Sequence, residues 1–84
     1  MLSQAELEKA VAAAKAGDWH QAHEIAQSYS DPVANWLHAI LHKIEGDAWN
    51  SKYWYARTHG IQYEDYPELT EEFSAILSSK KSPN

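Results

Sequence analysis

The chain has 84 residues and a formal net charge of −5; 44% of it is apolar and thirteen residues are alanine. That leaves enough large apolar side chains for one compact core and too few for two. The absence of cysteine excludes disulfides, thiolate metal ligands and a cysteine nucleophile. Seven Lys and Arg against twelve acids match a phosphate backbone poorly, so nucleic acid is not an expected partner. No stretch of about 18 apolar residues exists to cross a membrane. The start, Met1-Leu2-Ser3-Gln4-Ala5-Glu6, lacks the basic-then-apolar pattern of a secretory signal, so the expected location is cytoplasmic.

Ser3-Gln4-Ala5-Glu6 reads as a capping box that opens a first helix. Leu7, Ala10, Val11 and Ala14 follow at helical spacing, and Gly17 is a natural stop. Asp18 opens a second helix with Ala22, Ile25, Ala26 and Tyr29 on one face. Asp31-Pro32 caps a third, since proline in the first turn loses no helical hydrogen bond. This helix carries Val33, Trp36, Leu37, Ile40, Leu41 and Ile44 and stops at Gly46. Asp47 caps a fourth helix that runs through an aromatic block to about Thr58. A linker with Tyr63 and Tyr66 leads to a last helix from Pro67 or Thr70, with Leu69, Phe73, Ile76 and Leu77 on one side. Residues 80–84 read as a flexible tail after a single domain over 1–79. No segment alternates long enough to be a strand, so the expected class is all-α, with about five helices.

Two junctions share a pattern. Ala16-Gly17-Asp18-Trp19-His20-Gln21-Ala22 and Glu45-Gly46-Asp47-Ala48-Trp49-Asn50-Ser51 each hold a glycine stop, an aspartate cap and a small residue five positions after the glycine. This resembles tetratricopeptide-type helical repeats, in which two helices flank a Gly-Asp turn. The segment Asn50-Ser51-Lys52-Tyr53-Trp54-Tyr55-Ala56-Arg57 is similar to the second helix of the Sel-type variant. The two glycines are 29 residues apart, against a usual period of about 34. The resemblance implies two antiparallel helical hairpins, with the last helix acting as a cap.

A second resemblance rests on Trp36-Leu37-His38-Ala39-Ile40-Leu41-His42-Lys43-Ile44-Glu45-Gly46-Asp47, followed by Asn50 and Tyr53-Trp54-Tyr55-Ala56-Arg57. With the upstream Trp19 and Ala22-His23-Glu24, this run is similar to a group of small bacterial and fungal helical proteins of unassigned chemistry. The likeness covers positions 18 to 60 and departs from that group's arginine at Lys43 and its alanine at Ser51. It implies a fold and a site on these residues, and no reaction.

The histidines carry the functional argument. The second and third helices are joined by a tight turn, so they run antiparallel as neighbours. His23 and His38 then lie equally far from the turn, and His20 and His42 form a second level. At about 100° per residue, His38, His42 and Glu45 sit together on one flank of the third helix, and His23 sits on the matching flank of the second. The histidines are expected to converge. On the fourth helix, Trp49, Tyr53 and Ala56 are expected to form the core face, which puts Asn50, Trp54 and Arg57 on another. Tyr55 is left on neither. Arg57 is expected to pair with Glu45 or Asp47.

Three readings of this stripe follow. It fixes how the helices pack, through bonds among the histidines, Glu45 and Arg57. It binds a small anionic ligand or a protein partner, with Arg57 and the imidazoles holding an anion and Trp54 and Tyr55 covering its apolar part. Or His38, His42, Glu45 and His23 serve a metal-dependent or histidine-based hydrolase. Against the last, position 39 is alanine where the zinc-protease motif needs glutamate, and no nucleophile elbow or glycine-rich phosphate loop is present. The sequence favours a small non-catalytic binding module that needs no cofactor, with a site at His23, His38, His42, Glu45, Asn50, Trp54 and Arg57. It is expected to be a monomer or a weak homodimer. His20 and His59 are expected to face solvent. The acids Glu64, Asp65, Glu68, Glu71 and Glu72 read as favourable charge at the start of the last helix, and Tyr63 and Tyr66 as packing for it.

Overall fold

The computed structural model describes residues 1–79, so the tail expected at 80–84 lies outside the described residues. The described chain is all-helical: α1 (Gln4–Lys15), α2 (Trp19–Gln27), α3 (Pro32–Ile44), α4 (Ala48–Tyr55), a 3-10 turn at Tyr63–Asp65, and α5 (Leu69–Ser79). No helix is long and apolar enough to cross a membrane.

Local chemistry sets the helix ends. Side chains of Ser3, Asp18 and Asp47 accept hydrogen bonds from the Glu6, Gln21 and Asn50 amides at the starts of α1, α2 and α4. Gly17 and Gly46 take φ of 87° and 84°, a region that costs an L side chain but not glycine. That conformation lets the Asp18 amide reach the Ala13 carbonyl (2.8 Å) and the Asp47 amide reach that of His42 (2.9 Å). Both junctions are therefore Schellman motifs leading directly into an aspartate cap. The Glu6 carboxylate accepts from Ser3 and also from the Tyr29 hydroxyl at 2.6 Å, so it ties α1 to α2. Asp31 does not cap α3 with its side chain; its carboxylate holds the Leu2 amide at 3.0 Å. The fourth helix ends three residues before Thr58. There the Thr58 hydroxyl donates to the Tyr55 carbonyl (2.8 Å) and accepts from the Ile61 amide (3.0 Å), which turns the chain.

From α1 to α4, successive helices pack as antiparallel neighbours. Trp19 at the start of α2 donates to the Leu41 carbonyl late in α3 (2.7 Å). Asn35 early in α3 reaches the Arg57 carbonyl just past α4 (3.2 Å), while Ser51 near the start of α4 donates to Ala39 (2.7 Å). Helix α5 closes against α1 and α3, with Gln4 bonded to the Leu77 carbonyl. Leu2, Leu7, Val11, Leu37, Ile40, Leu41, Phe73 and Ile76 form the core. Ala22 and Ser51, the small residues five after each glycine, are fully buried. Helix α3 is buried continuously from Ala34 to His42.

The core face of α4 differs from the expected one. Trp49 is 77% exposed and Tyr53 42%, whereas Ser51 and Tyr55 are buried. A small serine seated on the Ala39 carbonyl and a tyrosine hydroxyl bonded to Glu72 decide the rotation of this short helix, against the larger apolar count of the 49/53 face. Trp49 stacks on Tyr53 at the surface, and the Arg57 guanidinium lies 3.7 Å from the centre of the Tyr53 ring.

Glu72 lies in the first turn of α5, as expected for its acid cluster, yet it is part of the core rather than a solvated charge. It is fully buried and accepts from the Trp36 indole (2.9 Å), the Tyr55 hydroxyl and the Lys43 ammonium (2.9 Å). Lys43 also donates to the Tyr63 carbonyl (3.0 Å) and lies over the Tyr55 and Tyr63 rings. Burial and the neighbouring Glu72 carboxylate push the Tyr55 hydroxyl well above its usual titration range, so it stays a donor. This network joins α3, α4, the 3-10 turn and α5. Lys43→Met strands a buried carboxylate and is expected to cost about 3–5 kcal/mol. In guanidinium denaturation, adding Glu72→Gln to Lys43→Met should recover part of that loss, because the unpaired charge is gone.

Candidate functional site

Antiparallel packing of α2 on α3 brings His23 opposite His38, with His42 one turn further along α3. The His23 and His38 Nε2 atoms are 3.0 Å apart and share a hydrogen bond. His42 joins them: the ring centroids lie 4.6 Å (His23–His38), 5.0 Å (His38–His42) and 5.5 Å (His23–His42) apart. One nitrogen from each ring falls within 4.8 Å of one from each of the others. Glu45, on the next turn, bonds His42 Nδ1 at 2.5 Å. That contact leaves Nε2 as the free nitrogen of His42.

Two indoles wall the cluster. Trp19 stacks on His23 with centroids 4.6 Å apart and planes 12° from parallel. Trp54 stacks on His38 at 3.9 Å and 11°. The Trp19 bond to Leu41 fixes the first wall against α3. Trp54 belongs to the expected site, but Trp19 was not expected in it. Its signal lay in the spacing, since residues 19 and 23 share a helix face at i, i+4.

Burial makes His23 and His38 poor bases. His38 is 6% exposed, and desolvation, reinforced by His23 and His42, pushes its pKa down to about 4. His23 is lowered for the same first reason, with His42 adding to the effect. At neutral pH these two imidazoles are uncharged and each keeps a lone pair. Among the described residues, His23 Nδ1, His38 Nδ1 and His42 Nε2 have no hydrogen-bond partner.

The remaining expected residues lie differently. Asn50 bonds the Asp47 carboxylate through its side chain (3.1 Å) as well as its amide, and so serves the α4 cap. Arg57 is exposed, donates to the Tyr53 carbonyl (2.9 Å) and covers the Tyr53 ring, so the expected pair with Glu45 or Asp47 is replaced by a cation–π contact. His20 is exposed and meets Trp19 edge-on, outside the cluster, rather than forming a level with His42; His59 is exposed as well. The structure thus groups His23, His38, His42, Glu45 and Trp54, adds Trp19, and sets Asn50 and Arg57 apart. Cavities open elsewhere: one of about 390 Å³ beside Met1, Tyr29 and Asp31, one of about 360 Å³ beside Lys52, Tyr55 and Tyr63, and one of about 200 Å³ beside Val33, Trp36 and Ile61.

In comparisons with known proteins, no family model, curated protein or solved structure matches the chain.

The lowered His38 pKa sets a pH dependence with a definite sign. The unfolded chain takes a proton on this residue near pH 6.5, while the folded protein resists it until about pH 4. Stability is therefore full above about pH 6.5 and declines as the pH falls towards 4. His38 accounts for a loss on the order of 3 kcal/mol across that window. Urea denaturation between pH 4 and 7 checks this, and His38→Phe should flatten the dependence by about that amount.

Proposed function

We propose that the chain is a small, non-catalytic binding module built from two tetratricopeptide-like hairpins, α1/α2 and α3/α4, with α5 as their cap. The imidazole cluster between Trp19 and Trp54 is the element that holds the ligand. Matching Schellman turns at Gly17 and Gly46, and buried small residues at Ala22 and Ser51, support the repeat reading.

One observation carries the binding assignment. His38 and His42 are buried, His23 is half-buried, and half of the three rings' nitrogens have no protein partner. These nitrogens keep contact with solvent, since among the described residues the fully enclosed side-chain atoms without a partner are Gln4 Oε1 and Asp31 Oδ2, so an incoming ligand can reach them. The Glu72 network in the same molecule shows how a polar cluster looks when its bonds are complete. An under-satisfied cluster of lone pairs is what a ligand-holding site needs before the ligand arrives.

His38→Phe tests this, because phenylalanine keeps the stack on Trp54 and removes both nitrogens. The variant should melt at or above the wild-type temperature without ligand. In a thermal-shift screen of small anions and divalent ions, wild type should be stabilised by at least one compound to which His38→Phe no longer responds. A drop in stability of more than about 3 kcal/mol, the loss expected from breaking a buried polar network, would make the rings structural and overturn the proposal.

A further inference from the structure

We infer that the ligand of this cluster is a divalent transition-metal ion of the zinc class, bound by His23, His38 and His42 and supported by Glu45. The inference rests on the binding reading and names its ligand.

Size decides first. Ring centroids 4.6–5.5 Å apart, roofed by two stacked indoles, leave no room for a metabolite between the imidazoles. They do suit an ion. Zinc–nitrogen bonds of about 2.0–2.1 Å in a tetrahedral site set the ligand nitrogens about 3.3 Å apart. The His23 and His38 Nε2 atoms, at 3.0 Å, need to separate by only about 0.3 Å to reach that spacing. The third ring already offers a nitrogen within 4.8 Å of one from each of the other two. The ring that carries the shared Nε2 proton moves it to its own Nδ1, and both lone pairs then face the ion.

Chemistry decides next. Three imidazoles without a thiolate suit zinc, copper, nickel or cobalt, and disfavour calcium and magnesium, which take oxygen ligands. Glu45 on His42 Nδ1 is the carboxylate–histidine pairing that orients a ring and strengthens it as a ligand. His38 and His42, four residues apart on one helix, present their rings on adjacent turns, and His23 crosses from α2. Binding therefore clamps α2 to α3. Three protein ligands leave the fourth position to solvent or an added ligand.

The test uses tag-free, chelator-treated full-length chain, with zinc and cobalt ions as the probes. Imidazole nitrogen NMR should show His23, His38 and His42 shifting together and saturating at one equivalent of zinc, with His20 and His59 unmoved. Cobalt should give the intense visible bands of a tetrahedral site. Glu45→Gln, at a surface residue, keeps the fold and should weaken zinc binding about 10- to 100-fold. His23→Phe and His38→Phe should abolish the one-equivalent phase. The inference falls if zinc does not saturate a single site, or if binding survives in both phenylalanine variants. Should small anions alone stabilise the protein through His38, the binding module stands and the metal does not. Should neither ions nor anions bind, both readings fall.

Discussion

Helix α3 has no solvent face between Ala34 and His42, and the rest of the molecule follows from that constraint. A helix buried all round must be covered by several neighbours, and each polar side chain it carries must find a partner among them. Asn35 is answered by the Ser30 and Arg57 carbonyls and Trp36 by Glu72. His38 is answered only by His23, and His42 only by Glu45. Helices α2, α4 and α5 are placed where they are because α3 needs covering on each side.

Much of this layout is legible in the sequence, for a physical reason. Helix ends depend on a few adjacent residues, so Ser3, Asp18, Asp47, Gly17 and Gly46 declare themselves by local chemistry alone. The meeting of His23, His38 and His42 follows from one tight turn and the helical period. Helix α4 marks where that reasoning stops. Counting apolar residues favours the face of Trp49 and Tyr53, but two hydrogen bonds, Ser51 to Ala39 and Tyr55 to Glu72, outweigh the count. Glu72 is hidden for the same cause. Among five acids in nine residues nothing local distinguishes the buried one, because its partners Trp36, Lys43 and Tyr55 lie 17 to 36 positions away. Charge pairing favours an acid as the partner of Arg57, but the Tyr53 ring four residues earlier in the chain outcompetes it.

The two buried polar clusters contrast in completeness. Around Glu72, a cation, an indole and a phenol saturate one carboxylate, and the ammonium is shared with backbone carbonyls. Such a network holds one arrangement because removing any member strands the others. Around the histidines, stacking supplies the packing and lone pairs are left over. Stacked indoles position the rings without consuming their nitrogens, which a hydrogen-bonded frame would do. Glu45 is the exception, and it takes only the Nδ1 of His42, leaving Nε2 without a protein partner.

The clusters are also mechanically linked, since neighbouring residues on two helices serve one each. On α3, His42 belongs to the imidazole group and Lys43 to the Glu72 network. On α4, Trp54 covers His38 while Tyr55 bonds Glu72. A rotation of α4 large enough to lift Trp54 from His38 must also break the Tyr55 bond inside the core. A slide of α3 that separates His42 from its partners must likewise pull Lys43 from Glu72. The saturated network thereby holds the unsaturated one in place. Rigidity reaches the histidines through the backbone of their neighbours, so their own nitrogens need not be used to hold the rings in position.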